Sequence, residues 1–172
     1  MNKVIKYILS GAMLLLDIAT SGCSLAAKND DYSGGDLRGI NHTRQGITRF
    51  KVNGYGGRVG GNTCCILLPD QWRPGMWAHV EWISDPNPRE KIKRKTTGYG
   101  FDPQALALHE SKYQRHSAYV EIPKYGSERC GLTVHFLPCD CVKVTTACSG
   151  YGTENYPIKE PLHMKEPVLC QK

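Results

Sequence analysis

Most signatures that would give this 172-residue chain an enzymatic identity are missing. It has no Gly-x-Ser-x-Gly elbow to raise a serine nucleophile and no His-Glu-x-x-His to hold zinc on a helix. No Cys-x-x-Cys occurs, so a thioredoxin-type redox site is excluded. Neighbouring cysteines are separated by one residue or none, whereas zinc sites space them by two to four. The glycine-rich stretch 53–62 matches neither the dinucleotide-binding nor the Walker pattern. It also leads into strand-like sequence, whereas a phosphate cradle opens a helix, so it reads as a flexible turn. No basic stripe interleaves with aromatics, and the net charge of +6 therefore reads as solubility rather than nucleic-acid binding. No internal repeat is present. We expect no catalytic residues, no metal and no cofactor.

A spanning helix is also missing. Lys3 and Lys6 open the chain, and the apolar stretch 7–16 falls far short of the roughly 20 residues that cross a bilayer. Small residues Ala19, Thr20, Ser21 and Gly22 then precede Cys23. This is a signal-peptide layout. A cysteine after Ser-Gly resembles a bacterial lipobox, although Thr20 stands where leucine is usual and Asp17 interrupts the apolar run. The expectation is a signal over residues 1–22, acylation at Cys23, and an outer-membrane anchor facing the periplasm. Residues 23–45, with little apolar pattern, read as a tether, leaving residues 46–172 as one domain.

Eight cysteines are present. With Cys23 lipidated, Cys64, Cys65, Cys130, Cys139, Cys141, Cys148 and Cys170 remain as disulfide candidates in an oxidising compartment. Seven is odd, so one thiol stays free or pairs elsewhere, and the connectivity is not readable from sequence. Cys64 and Cys65, adjacent on a strand, face opposite ways, which suits them to fasten separate layers. On a strand, Cys139 and Cys141 share a face and suit different partners.

Eighteen glycines and ten prolines favour short strands and turns over helices. Residues 64–68 form an unbroken apolar run, the pattern of a strand covered on both faces, and Pro69 ends it. Residues 69–75 are turn formers. Met76, Ala78, Val80 and Trp82 then alternate with Trp77, His79, Glu81 and Ile83, so the region reads as a tryptophan-rich hairpin. Period-2 alternation also marks strands at 46–52, 118–122, 132–137 and 141–145. One helix is expected, with Asp102 as N-cap, Pro103 in the first turn, and an end near Arg115. On it Leu106, His109 and Tyr113 share a face with His116 one turn on, which reads as packing rather than a metal site. The expected fold is a mainly antiparallel β sandwich or bent sheet of about six or seven strands, with one packed helix, stapled by disulfides. Beyond residue 148 the chain reads as an extended tail held by Cys170.

Candidate partner-binding residues follow from the strand pattern. Trp77, His79 and Glu81 share one face, the composition of a protein-binding patch. Tyr55 and Arg58 in the glycine-rich stretch complete the set. His79 and Glu81, two residues apart, read as a polar face rather than a proton-transfer pair. The basic loop bearing Arg89, Lys91, Lys93, Arg94 and Lys95 reads as solvated, with contact to anionic headgroups as the alternative.

The motifs Asn53-Gly54-Tyr55-Gly56, Cys64-Cys65, Leu68-Pro69, Trp72-Arg73-Pro74-Gly75, Val80-Glu81-Trp82, the run 130–139 and Pro161-Leu162-His163 together resemble a family of Gram-negative lipoproteins that carry a domain of unknown function. The resemblance spans roughly residues 46–172. Members of that family are encoded near type VI secretion components, often beside phospholipase effectors. The resemblance implies an immunity lipoprotein that protects its own cell by binding a secreted lipase in the periplasm. The alternative is a structural or assembly lipoprotein of the envelope or secretion apparatus.

Overall fold

The computed structural model describes residues 31–170. The expected signal (residues 1–22), the lipidation residue Cys23 and the first part of the expected tether lie outside the described residues. The chain is mainly β. Among the described residues, eight strands run in order: β1 Tyr32–Asn41, β2 Gly46–Val52, β3 Tyr55–Val59, β4 Asn62–Pro69, β5 Trp77–Asp85, β6 Gln114–Glu121, β7 Leu132–Leu137 and β8 Cys141–Thr145, with one helix, α1 Pro103–Glu110, between β5 and β6. They form one sheet in the order β6-β5-β2-β3-β1-β7-β8, with β4 pairing β1 off that path. The sheet curls until its two ends approach, and His116 of β6 reaches Asp140 beside β8 at 3.1 Å. The pairing is mixed, because β1 runs parallel to both β3 and β7 while the other ladders are antiparallel.

Strand β1 lies inside the stretch read as a tether. Glycines conceal it. A Cβ on Gly35 would stand 2.5 Å from Gly131 Cα, and one on Gly39 would stand 2.6 Å from Phe50 Cε1. Close approach by neighbouring backbone and ring excludes the side chains that usually announce a strand, leaving Leu37 as its fully buried apolar residue. The glycine-rich stretch 53–62 is likewise no simple loop. Asn53 and Gly54, with φ of 49° and 87°, turn the β2–β3 hairpin, and β3 follows directly. Gly57 lies under the Phe50 ring.

Strands β4 and β5 are not a hairpin: β4 pairs β1, whereas β5 pairs β2 and β6. The turn between them is pinned elsewhere. Trp72 Nε1–H donates to the Ile122 carbonyl at 2.9 Å, and the Tyr125 hydroxyl donates to the Pro69 carbonyl at 2.8 Å. Nor is β4 covered on both faces, since Ile66 and Leu68 are buried while Leu67 is 48% exposed. Helix α1 has the expected cap, with Asp102 Oδ1 accepting the Ala105 N–H at 3.0 Å, but it ends at Glu110 rather than near Arg115. Residues 114–121 instead complete an eight-pair ladder with β5. Tyr113 and His116 are therefore not helical.

The core gathers Leu37, Phe50, Val80, Trp82, Val134 and Phe136 inside the curl. Val134 and Phe136 face this core, while Thr133 and His135, on the opposite face of β7, are buried too. Residues 146–170, which hold no helix or strand, supply part of that second cover. They are bracketed by Cys130–Cys148 and Cys139–Cys170. Cys139 is a turn residue with φ 61°, not a strand residue. Cys141 is the free cysteine among the described residues, and it is exposed. Cys64 and Cys65 lie against each other on β4 and do not fasten separate layers. Both are exposed, and neighbouring β1 presents Gly34 against Cys65, with no cysteine to bond.

Candidate functional site

Strand β5 is central in its half of the sheet. Its alternation turns Ala78, Val80 and Trp82 into the core and Trp77, His79, Glu81 and Ile83 outward. Pairing with β6 places Glu121 beside Trp77, Tyr119 beside His79 and Ser117 beside Glu81. The His79 ring stacks on Tyr119 with centroids 4.4 Å apart and planes 13° from parallel. Its Nε2 lies 2.8 Å from Ser117 Oγ, and its backbone N–H donates to Asn53 Oδ1 at 2.8 Å. Trp77 is 54% exposed and Tyr119 is 69% exposed. Large aromatic rings thus stand in water on a hydrogen-bonded sheet rather than on a loop. Such surfaces lose little conformational freedom when covered.

Helix α1 does not cover Trp77. It docks at the other end of β5, through buried His109. His109 Nδ1 meets Glu90 Oε2 at 2.8 Å, and Nε2 meets Asp85 Oδ2 at 3.0 Å. With a carboxylate on each ring nitrogen, both nitrogens act as donors, and the Glu90 hydrogen bond, supported by Asp85, raises the His109 pKa against the opposing effect of burial. Lys112, followed by His109, draws the Glu90 carboxyl below its ordinary range. The cluster clamps residues 84–90 to the helix and offers no free base.

The five expected binding residues do not form one group. Arg58 turns outward with Trp77, His79 and Glu81, but Tyr55 pairs with Val52 and sits on the core side at the sheet's rim. Tyr119 was missed. Its alternation with Val120 is visible in the sequence, but its place beside His79 depends on a pairing that single-strand periodicity does not reveal. His79 Nε2 is paired with Ser117 rather than Glu81, so no proton-transfer pair is assembled there.

A second polar assembly lies under the tail. His42 and His135 are fully buried. The Pro161 carbonyl can only accept, so His42 Nδ1 donates to it across 3.0 Å. His42 Nε2 then accepts from His135 Nδ1 at 2.7 Å, and His135 Nε2 accepts from the Tyr156 hydroxyl at 2.7 Å. One tautomer of each neutral imidazole satisfies the whole chain of contacts. Burial, reinforced by neighbouring His42, lowers the His135 pKa to about 4. Every ring nitrogen is committed, which makes the assembly a fastener for residues 151–163 rather than a seat of chemistry.

Among the described residues, Cys139, Glu166 and Cys170 are the one group with metal-ligand spacing. Their two sulfurs are consumed in a disulfide, which removes the thiolates a metal would need.

A family model described as "Protein of unknown function (DUF3304)" matches residues 40–144, from the end of β1 into β8. No curated protein and no solved structure matches the chain.

Proposed function

Because the chain belongs to the DUF3304 family of proteins of unknown function, its role has to come from its own surface, and we propose that it acts by binding another protein. In this reading it is a lipoprotein, acylated at Cys23 and held at the outer membrane facing the periplasm. Its partner is a type VI secreted phospholipase, whose active site it occludes to protect the cell that makes it. The observation that supports binding is the rigid aromatic face on β5 and β6, with Trp77 54% and Tyr119 69% exposed. Exposed aromatics on an ordered scaffold are the residues that carry affinity in protein interfaces. Trp77 and His79 are among the expected binding residues, and Tyr119 stacks on His79.

The position of β1 bears on this reading. The sheet begins at Tyr32, so an acylated Cys23 would hold the domain within about 30 Å of the bilayer, given at most roughly 3.3–3.6 Å per residue. A partner attacking membrane lipid would meet it there.

The test is complex formation between the purified chain and the phospholipase encoded beside it, measured by calorimetry with lipase activity followed in parallel. The expected result is a tight complex that silences the lipase and weakens by more than about 2 kcal/mol in Trp77→Ala/Tyr119→Ala. If the lipase is neither bound nor inhibited, and cross-linking in cells recovers only structural envelope components, the immunity reading fails and the structural one replaces it.

A further inference from the structure

The outward face of the sheet carries an arrangement that the aromatic patch does not explain. Register places Arg49 of β2 and Arg115 of β6 on either side of Ile83 of β5. Neighbouring strands lie about 5 Å apart, so the two arginines bracket Ile83 across about 10 Å. Arg58 stands one residue beyond the Phe50–Gly57 pair, which puts it beside Arg49 on β3. One rung across four strands therefore reads Arg58, Arg49, Ile83, Arg115. All three arginines are exposed, and none forms a salt bridge among the described residues.

The adjacent rung is built differently, with Lys51 directly opposite Glu81. Opposite charges facing across strands are favourable and like charges facing each other are not. The sheet thus compensates one rung and leaves three guanidinium groups uncompensated on the next. The rung also borders a depression of about 350 Å³ lined by Arg49, Lys51, Glu81, Ile83 and Arg115.

We infer that this arginine rung is a docking site for an acidic segment of a partner protein, with side-chain carboxylates seated between Arg49 and Arg115 over Ile83. Guanidinium groups match carboxylates through paired N–H donors, and a fixed sheet presents them without reorganisation. The carboxylates on the same face select the class of partner. Glu81 lines the depression, and Glu121 stands beside Trp77. A uniformly anionic bilayer or a nucleic acid would press phosphate against both. A protein can place acidic side chains on the rung and basic or apolar ones elsewhere. This inference rests on the protein-binding reading and names the chemistry of the partner's contact.

The test titrates the purified chain with a capped hexaglutamate peptide and follows backbone amide shifts. The expected result is shifts at Arg49, Ile83 and Arg115, weakened by added salt and reduced about 10-fold in affinity in Arg49→Gln/Arg115→Gln. An unchanged melting midpoint shows that the variant is folded. Four results would overturn the inference. These are no response to the peptide, shifts confined to the Trp77 end, equal competition by inorganic phosphate, or arginine-dependent binding to phosphatidylglycerol vesicles in place of the peptide. Lipase binding separates the two readings. A lipase complex indifferent to Arg49→Gln/Arg115→Gln would sink the acidic-segment site and leave the immunity reading standing. Peptide binding without a lipase complex would do the reverse.

Discussion

His42 and His135 meet Nε2 to Nδ1 at 2.7 Å, with neither ring reached by solvent. Both are neutral in this arrangement, and Tyr156 and the Pro161 carbonyl close its ends. The pair joins the start of the domain to β7, and the tail to both.

Acid should therefore loosen the tail. The His135 pKa falls to about 4 in the folded chain, first through burial and then through His42, against an ordinary value of about 6.5. Below about pH 6.5 the unfolded chain binds a proton that the folded chain refuses, so stability falls as pH drops toward 4, by roughly 3 kcal/mol in total. Denaturant midpoints measured from pH 7 to pH 4 check this. In His135→Phe the acid dependence should flatten while overall stability drops, because the Tyr156 hydroxyl and His42 lose their partner.

The clamp on helix α1 has the opposite sign. His109 has a raised pKa, through Glu90 first and Asp85 as well. Its contribution is whole below the ordinary pKa of about 6.5 and is lost as pH rises through the higher folded value. Titration of the His109 ring by NMR should place its midpoint above that of an exposed histidine. Glu90→Gln should lower it, and Asp85→Asn should lower it further when combined.

Gly57 and Gly56 offer a matched pair. A Cβ on Gly57 would lie 2.2 Å from Phe50 Cζ, whereas one on Gly56 meets nothing within 4 Å. Gly57→Ala should destabilise by about 1–3 kcal/mol through overpacking. Gly56→Ala should stay within about 0.5 kcal/mol. Thermal denaturation of the two variants side by side reads the difference.

The cysteines divide in the same way. Cys139–Cys170 closes a loop of sequence separation 31, and Cys139→Ser should cost roughly 2–4 kcal/mol. Cys141 is exposed and in no disulfide. Cys141→Ser should leave the melting midpoint unchanged, and iodoacetamide should label residue 141 in the native chain but not in the variant, as read by mass spectrometry.

What was legible in the sequence follows side-chain alternation. Strands β5 and β7 and the cap Asp102–Pro103 were readable because each declares itself within a few residues. Strand β1 was not, because the contacts that define it exclude side chains at Gly35 and Gly39, and a strand without apolar alternation resembles a linker. The end of α1 was missed because Gln114 to Glu121 gains a ladder with β5 that local propensity does not include. In the candidate site, Trp77, His79 and Glu81 were readable as one face of one strand. Tyr119, Arg49 and Arg115 join that face through register alone, and Tyr55 leaves it for the same reason. The buried histidines were out of reach, since His42 and His135 stand 93 residues apart.

The place of β1 also governs the order of events when the chain folds. Its partners are β3 and β4 on one side and β7 on the other. Leu37 pairs with Leu132, so the first of the described strands cannot be completed until β7, some 95 residues further on, is in place. Loop closure over so long a span precedes any reward from pairing, which makes assembly slow relative to local hairpins. Hairpins β2–β3 and β7–β8 can form on their own, and β1 then knits them into one sheet. Until it does, two unpaired strand edges face each other across an empty seat.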